Sequence, residues 1–347
     1  MTDSQLEAKN QVIAAGKRLV EAGLIARTWG NISARISDTE FVITPSGKAY
    51  ETLTPADIVT VKISDCSYEG SVKPSSEKGV HAAAYRLRPA VNFVIHTHQT
   101  YGSCMSILGQ DILDFTECDA ADKQILGDII PCASYGMFST DKLIHAVGEQ
   151  IQNHPSATAV LMKYHGALCM GANLENAFQV SRALETVCSR RYHQIVKLSE
   201  ISHAKESDIT IPEKVLCDTL FQSLGYSCVL HAKTPYILRM SQEGRTMRPY
   251  LDDLAQIAGV SIKCVDADSL SAIIAALKHR NAVLIRGMGA ICTGMEESDV
   301  QAVCMVLEKG CQAALLAKNA GYVKPLSWRS AYLDRKVYVT SYSRLKG

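Results

Sequence analysis

The sequence predicts a mixed α and β protein, an α+β or layered α/β/α domain followed by a shortened second copy of itself. Three observations carry that expectation. Runs rich in β-formers, bounded by Gly, Pro and Asp, do not alternate regularly with helical stretches. A chain of 347 residues that is 47% hydrophobic and 20% charged is long enough for more than one core. An ungapped run of thirteen residues at 159–171 recurs at 282–294 with seven identities.

Taken in order, apolar residues at helical spacing predict a helix from Ser4 to Gly23, with Gly23 as its C-cap. RTWGNIS then reads as a loop. FVITPSG (41–47), IVTVKI (58–63) and NFVIHTH (92–98) read as strands, and SSEKGVHAAAYRLRP (75–89) as a helix that stops at Pro89. AVLMKYHGALCMG (159–171) reads as two short strands around a Gly turn. A long helix over 173–198 follows, with Asn173 as N-cap and Glu175 in its first turn.

The second half repeats the first in three segments and in the same order. AVLMKYHGALCMG aligns with AVLIRGMGAICTG, VIHTHQTYGSCMS (94–106) with VLHAKTPYILRMS (229–241), and EKGVHAAAY (77–85) with EKVLCDTLF (213–221). The copies are unequal. His96 to His165 spans 69 positions and His231 to Met288 only 57, and nothing after residue 200 matches GNIS or TPSG. The polar stretch 200–212, ending in Pro, reads as a linker between domains at 1–202 and 213–347.

Composition excludes some classes of function. Lys+Arg 36 against Asp+Glu 35 leaves a net charge of +1 with no long single-sign block, so neither nucleic acid nor a membrane is expected as a partner. A small molecule is. Residues 1–20 carry polar groups throughout and no apolar run is read as reaching spanning length, so a cytoplasmic location is expected. The twelve cysteines are scattered without a CxxC pair and read as free thiols in a reducing compartment.

Four residues stand out chemically. His96 and His98, two apart on a strand, point to one face, as two imidazole ligands of a metal would. By itself that spacing is a weak signal, and a structural or surface pair is the commoner outcome. His165, before a glycine that lets the backbone turn tightly, would alone be a turn histidine, and Glu77 would alone be a first-turn glutamate favoured by the helix dipole. The second copy weighs against those plain readings. At the aligned positions it carries Glu213, His231, Lys233 and Met288, so two of four candidate ligands are lost while the apolar frame around them persists. Three imidazoles and a carboxylate suit Zn²⁺.

GNISARISDTEFVITPSG, then PSSEKGVHAAAYRLRPAVNFVIHTH, then YHGALCMG together resemble the class II aldolase/adducin family, nearest its L-fuculose-phosphate and L-ribulose-phosphate branch, over about residues 5–199. The resemblance implies a three-layer α/β/α domain around a central mixed or antiparallel sheet, duplicated here in a shortened copy. It implies one Zn²⁺ per chain on His96, His98 and His165, with Glu77 as catalytic acid/base. It maps a substrate phosphate onto Asn31, Ser46, Gly47, Ser75 and Ser76. Hydroxyls and free N–H groups where a helix begins make an anion site of the right kind, although Ser75 or Ser76 capping the helix and TPSG forming a turn are the plain alternatives.

The implied reaction is cleavage of a phosphorylated ketose, fuculose-1-phosphate-like, to dihydroxyacetone phosphate and an aldehyde through an enediolate. A zinc-dependent decarboxylase or epimerase of a related phosphate is the alternative, and a metal-free adducin-like scaffold a third reading. The family's proton-donating tyrosine has no counterpart in DILDFTECDAADKQILGDIIPC (111–132), where Glu117 aligns nearest, and Tyr338 or Tyr342 of the tail is a candidate replacement. Family members are usually cyclic tetramers, so a homodimer of two-copy chains forming a pseudo-tetramer is expected. Lys233, Arg239, Arg245 and Arg248 read as solvated surface charge, with reach into the first copy's site as the alternative.

Overall fold

The computed structural model describes residues 2–25, 29–115, 118–202 and 213–340, which fall into two units, Met1–Tyr192 and His193–Gly347. In the first unit α1 (Asp3–Glu21) opens with a capping box, in which Thr2 and Gln5 satisfy each other's backbone N–H groups. Its C-cap is Ala22, and the predicted cap glycine, Gly23, follows in the left-handed region at φ 69°. The next segment corrects the sequence reading: most of GNIS is not loop but the start of β1 (Asn31–Arg35). Polar Asn31 and Ser33 on one face of that strand hid an element whose first four residues are all buried.

The unit continues through β2 (Glu40–Ile43), β3 (Val59–Lys62), α2 (Lys78–Leu87), β4 (Phe93–Thr97), α3 (Thr100–Ser106) and α4 (Ala120–Leu126). It is completed by β5 (Cys132–Ala133), α5 (Asp141–Asn153), β6 (Ala159–Met162), β7 (Gly166–Gly171) and α6 (Leu174–Ile195). As expected, Asn173 caps α6, its Oδ1 accepting from the Asn176 N–H at 2.9 Å. The seven strands order as β3-β2-β1-β4-β7-β6-β5, antiparallel except for the β5–β6 pair. Alternate strand residues, among them Phe41, Ile43, Val94, Leu168 and Met170, pack under Val80, Ala84 and Tyr85 of α2 and Leu143, Val147 and Ile151 of α5. α1 lies against β1 and β2, and α3 against β6 and β7, on the opposite face. The expected three-layer α/β/α arrangement around a mixed sheet is borne out.

The second unit runs through α7 (Ser199–Ser202), α8 (Glu213–Leu224), β8 (Cys228–Ala232), α9 (Pro235–Ser241), α10 (Asp252–Ile257), β9 (Lys263–Val265), α11 (Leu270–Leu277), β10 (Ala282–Ile285), β11 (Gly289–Gly294), α12 (Glu297–Ala320) and α13 (Trp328–Thr340). Its four strands order as β8-β11-β10-β9. Leu216 and Leu220 of α8 and Ile273 and Leu277 of α11 cover one face with Val283, Ile285 and Ile291. Against the sequence reading, α12 is long and apolar enough by length and composition to cross a membrane, but it is mostly buried as the core helix of this unit.

The two sheets share a register. In the first, His96 pairs with Leu168, Met162 with Gly166, and Ala133 with Met162. In the second, the aligned His231 pairs with Ile291, Ile285 with Gly289, and Val265 with Ile285. Even a helix-start clamp recurs. Glu185 accepts from the N–H groups of Tyr101 and Gly102, and Glu308 from those of Tyr236 and Ile237.

Candidate metal centre and active site

β4 brings in the first ligand by its pleat, which sends Val94 and His96 to the α2 side of the sheet, while His98 follows one residue beyond the strand's end. His165 arrives from the β6–β7 hairpin. The turn strain there falls on Tyr164, at φ 65°, rather than on the glycine. Gly166 serves a different need from the predicted tight turn: a Cβ on it would lie 2.3 Å from the Thr97 carbonyl oxygen, so only glycine lets β7 close on β4. Gly30 is comparable, its missing Cβ leaving room for the His96 carbonyl 2.5 Å away.

Glu77 is the N-cap residue of α2 yet makes no capping bond to its own helix, which removes the first-turn reading of it. Its Oε1 lies 2.9 Å from His165 Nε2 and its Oε2 3.1 Å from His96 Nε2. The four candidate ligand atoms, from Glu77, His96, His98 and His165, all lie within 4.8 Å of one another. His96 and His165 are almost fully buried, with parallel rings 4.9 Å apart. The His96 Nδ1–H donates to the Ala167 carbonyl at 2.9 Å, leaving Nε2 as a lone pair aimed at the centre. There it faces the Glu77 carboxylate and, at 3.0 Å, His98 Nε2. A lone pair against a carboxylate is repulsive unless a proton or a cation sits between them, so this donor set fits a divalent metal. Burial works to raise the Glu77 carboxyl, but His96 and His165, where a proton on their rings takes the place between nitrogen and carboxylate, outweigh it and hold the group well below the ordinary carboxylate range.

The residues expected to bind phosphate gather at the same end of the sheet. Ser46 N–H donates to Lys73 O and Ser75 N–H to Thr44 O, each at 3.0 Å, so the TPSG and PSSE loops run side by side. Gly47 is exposed at φ 76°, Ser46 and Ser76 are half-buried, and the Ser75 hydroxyl accepts from the Glu77 N–H at 3.3 Å. Ser75 therefore closes a turn ahead of α2 and is not its N-cap. Asn31 is 4% exposed, its Nδ2 donating to Glu77 Oε2 at 3.0 Å. Sequence reasoning missed Ser33, His81 and Tyr85, which lie behind Asn31; the one available signal was that His81 follows Glu77 by a helical turn. Glu117 and Tyr342 lie outside the described residues. In the second unit Arg239 pairs with Glu243 at 2.7 Å and Arg248 stacks on Trp328 at 4.5 Å.

The sequence profile of the Class II Aldolase and Adducin N-terminal domain matches residues 10–192 and again 221–315. The chain belongs to the class II aldolase and adducin family. A 5-deoxy-D-ribulose 1-phosphate aldolase of Bacillus thuringiensis serovar kurstaki is 32% identical over 193 residues, 55% of this chain and 87% of that protein. An L-fuculose phosphate aldolase of Escherichia coli strain K12 is 35% identical over 177 residues, 51% of this chain and 79% of that one. A solved L-fuculose 1-phosphate aldolase aligns at 28% identity over 60% of this chain and 92% of its own, with a TM-score of 0.48. In this family member the Glu77 and histidine cluster and the paired serine loops lie within the first matched segment.

Proposed function

We propose that this protein is a zinc-dependent carbon–carbon lyase that cleaves a phosphorylated ketose, of the fuculose-1-phosphate or deoxyribulose-1-phosphate kind, to dihydroxyacetone phosphate and an aldehyde. The observation that carries this reading is the convergence of Glu77, His96, His98 and His165 within 4.8 Å in a class II aldolase family chain. His96, His98 and His165 would hold the metal. When bound, the metal supplies Lewis-acid stabilisation of negative charge on substrate oxygen. Glu77, the one carboxylate among the ligand atoms, moves the proton at the reacting carbon. Asn31, Ser46, Gly47, Ser75 and Ser76 line the substrate phosphate, which the adjoining loops favour through their hydroxyls and the start of α2 through its helix dipole.

A decarboxylase or epimerase reading draws on one observation, the absence of tyrosine from 111–132. The second unit is proposed as a metal-free copy. Its support is the shared register together with Lys233 and Met288 at two ligand positions. A cytoplasmic homodimer with one zinc per chain completes the proposal. Metal analysis of the purified protein, then a panel of ketose 1-phosphates and phosphorylated 3-keto acids, tests it. Zinc near one per chain with dihydroxyacetone phosphate released is the expected result. Release of CO₂ instead establishes the decarboxylase, and a metal-free protein inactive on the whole panel refutes both. Light scattering at the mass of two chains is expected, and two zincs per chain would overturn the metal-free copy.

A further inference from the structure

Behind Glu77 a line of polar side chains runs through the core of the first unit. Asn31 Nδ2 donates to Glu77 Oε2 at 3.0 Å, and Asn31 Oδ1 lies 2.5 Å from His81 Nε2. His81 Nδ1 lies 2.6 Å from Ser33 Oγ, which lies 2.7 Å from the Tyr85 hydroxyl. His81 and Ser33 are fully buried, Tyr85 nearly so. Polar groups in such a place need fixed partners, and here the direction of each bond follows from the one before it. An ionised carboxylate only accepts, so Asn31 must turn its NH₂ toward Glu77 and its carbonyl toward His81. That carbonyl also only accepts, so Nε2 of His81 carries the proton. A neutral imidazole then has a lone pair on Nδ1, so the Ser33 hydroxyl donates to it, and the Ser33 oxygen accepts from Tyr85. Burial keeps His81 neutral, depressing it to about 3.

We infer that Tyr85, Ser33, His81 and Asn31 form a one-way chain of hydrogen-bond donors ending on Oε2 of Glu77, and that this chain positions the carboxylate for its work. The inference rests on the acid/base reading of Glu77 above. Each bond polarises the next, and the chain fixes both the rotation of the carboxylate and which of its oxygens the Asn31 amide leaves for proton exchange. Oε2 is held by the Asn31 amide, so Oε1, on the His165 side, is the atom that exchanges the proton. The second unit is consistent with this division of labour. The helix aligned with α2 carries Cys217 and Phe221 at the positions of His81 and Tyr85, and the chain is gone where two candidate ligands are also gone. Tyr85, Ser33 and His81 are thus positioning residues.

The test has one arm without substrate and one with it. In protein labelled with ¹⁵N-histidine, His81 is expected as the neutral Nε2–H tautomer, unchanged from pH 8 to pH 5.5. An Nδ1–H tautomer or a protonated ring in that range overturns the chain whatever reaction the enzyme performs. In the second arm, Tyr85→Phe, Ser33→Ala and the double variant are compared on the working substrate, with folding checked by melting temperature. Each single change is expected to lower kcat about three- to tenfold, with KM and metal content unchanged. The double variant is expected to be no worse than Ser33→Ala, because members of one chain do not act independently. Additive losses, losses in KM alone, or no loss overturn the positioning role. If Glu77→Gln keeps full activity, the acid/base reading fails instead, and the tautomer result still decides the chain.

Discussion

Gly166→Ala is a sharp test of how the fold sets the site. The new Cβ would sit 2.3 Å from the Thr97 carbonyl oxygen, about 1 Å inside the ~3.3 Å at which carbon and oxygen ordinarily meet across neighbouring strands. Both parties are backbone, so no side chain can swing away, and β7 must part from β4 where His165 and His96 face each other. Overpacking of this kind costs about 2–3 kcal/mol, which at ~2–4 °C per kcal/mol lowers the melting temperature by about 4–12 °C. Because His165, a ligand in the proposed zinc site, precedes the displaced residue, zinc affinity should fall at least tenfold. Gly289→Ala provides a control for the clash, since its Cβ would lie the same 2.3 Å from the Ala232 carbonyl oxygen, with the added backbone strain of a φ of 98°. That variant should lose at least as much stability and keep its zinc affinity. Calorimetry and competitive zinc titration of the two proteins decide the matter. A Gly166→Ala protein that melts within about 1 °C of the parent and binds zinc as tightly would refute the reasoning.

Three further outcomes follow from the same geometry. Glu77→Gln should retain metal by elemental analysis while kcat falls about 10²- to 10⁴-fold, the range of a lost acid/base group. His98→Ala should lose metal and activity together, and with them the zinc-dependent stabilisation of the parent, about 2.7 kcal/mol at a free zinc concentration ~100 times the Kd. The third concerns pH. His81 is depressed from 6.5 to about 3 in the folded chain, so below pH 6.5 the unfolded state binds a proton that the folded state refuses. Stability is therefore lost as pH falls, by about 1.4 kcal/mol between pH 7.5 and 5.5 from this residue. Urea unfolding at both pH values should show His81→Gln less pH-sensitive than the parent by that amount, and equal sensitivity counts against a buried neutral His81.

Where hydrophobic spacing carried the signal, the sequence was legible. The helix at the N-terminus, the strand holding His96, the hairpin at 159–171 and the cap at Asn173 were all readable because apolar periodicity and capping chemistry are local. β1 was not, because the face it turns to α2 carries Asn31 and Ser33, and a strand whose buried side is polar looks like a loop. The same feature concealed the donor chain. The partners of Asn31 and Ser33 are 46 to 52 residues away on α2, and no local pattern announces a hydrogen bond across that distance. The role of Gly166 was misread for a related reason: a glycine beside a turn looks like the turn, whereas its constraint is the carbonyl of a strand remote in sequence.

One residue shows how little separates a ligand from a strut. His96 and His231 occupy the same register opposite Leu168 and Ile291, so sequence alignment alone would credit the second unit with a surviving ligand. Their ring nitrogens are used differently. His96 spends Nδ1–H on the Ala167 carbonyl and leaves Nε2 for the centre. His231 donates from Nε2 to the Met288 carbonyl at 2.6 Å, the backbone of the very position where the first unit has His165. With no third imidazole and no second one on its strand, the ring turns to satisfy the hairpin, and the nitrogen that would bind metal becomes a strap across the site. The histidine at this register in the second unit is therefore explained by backbone satisfaction, and the ligand role proposed for His96 depends on the neighbours that hold the tautomer as much as on the residue itself.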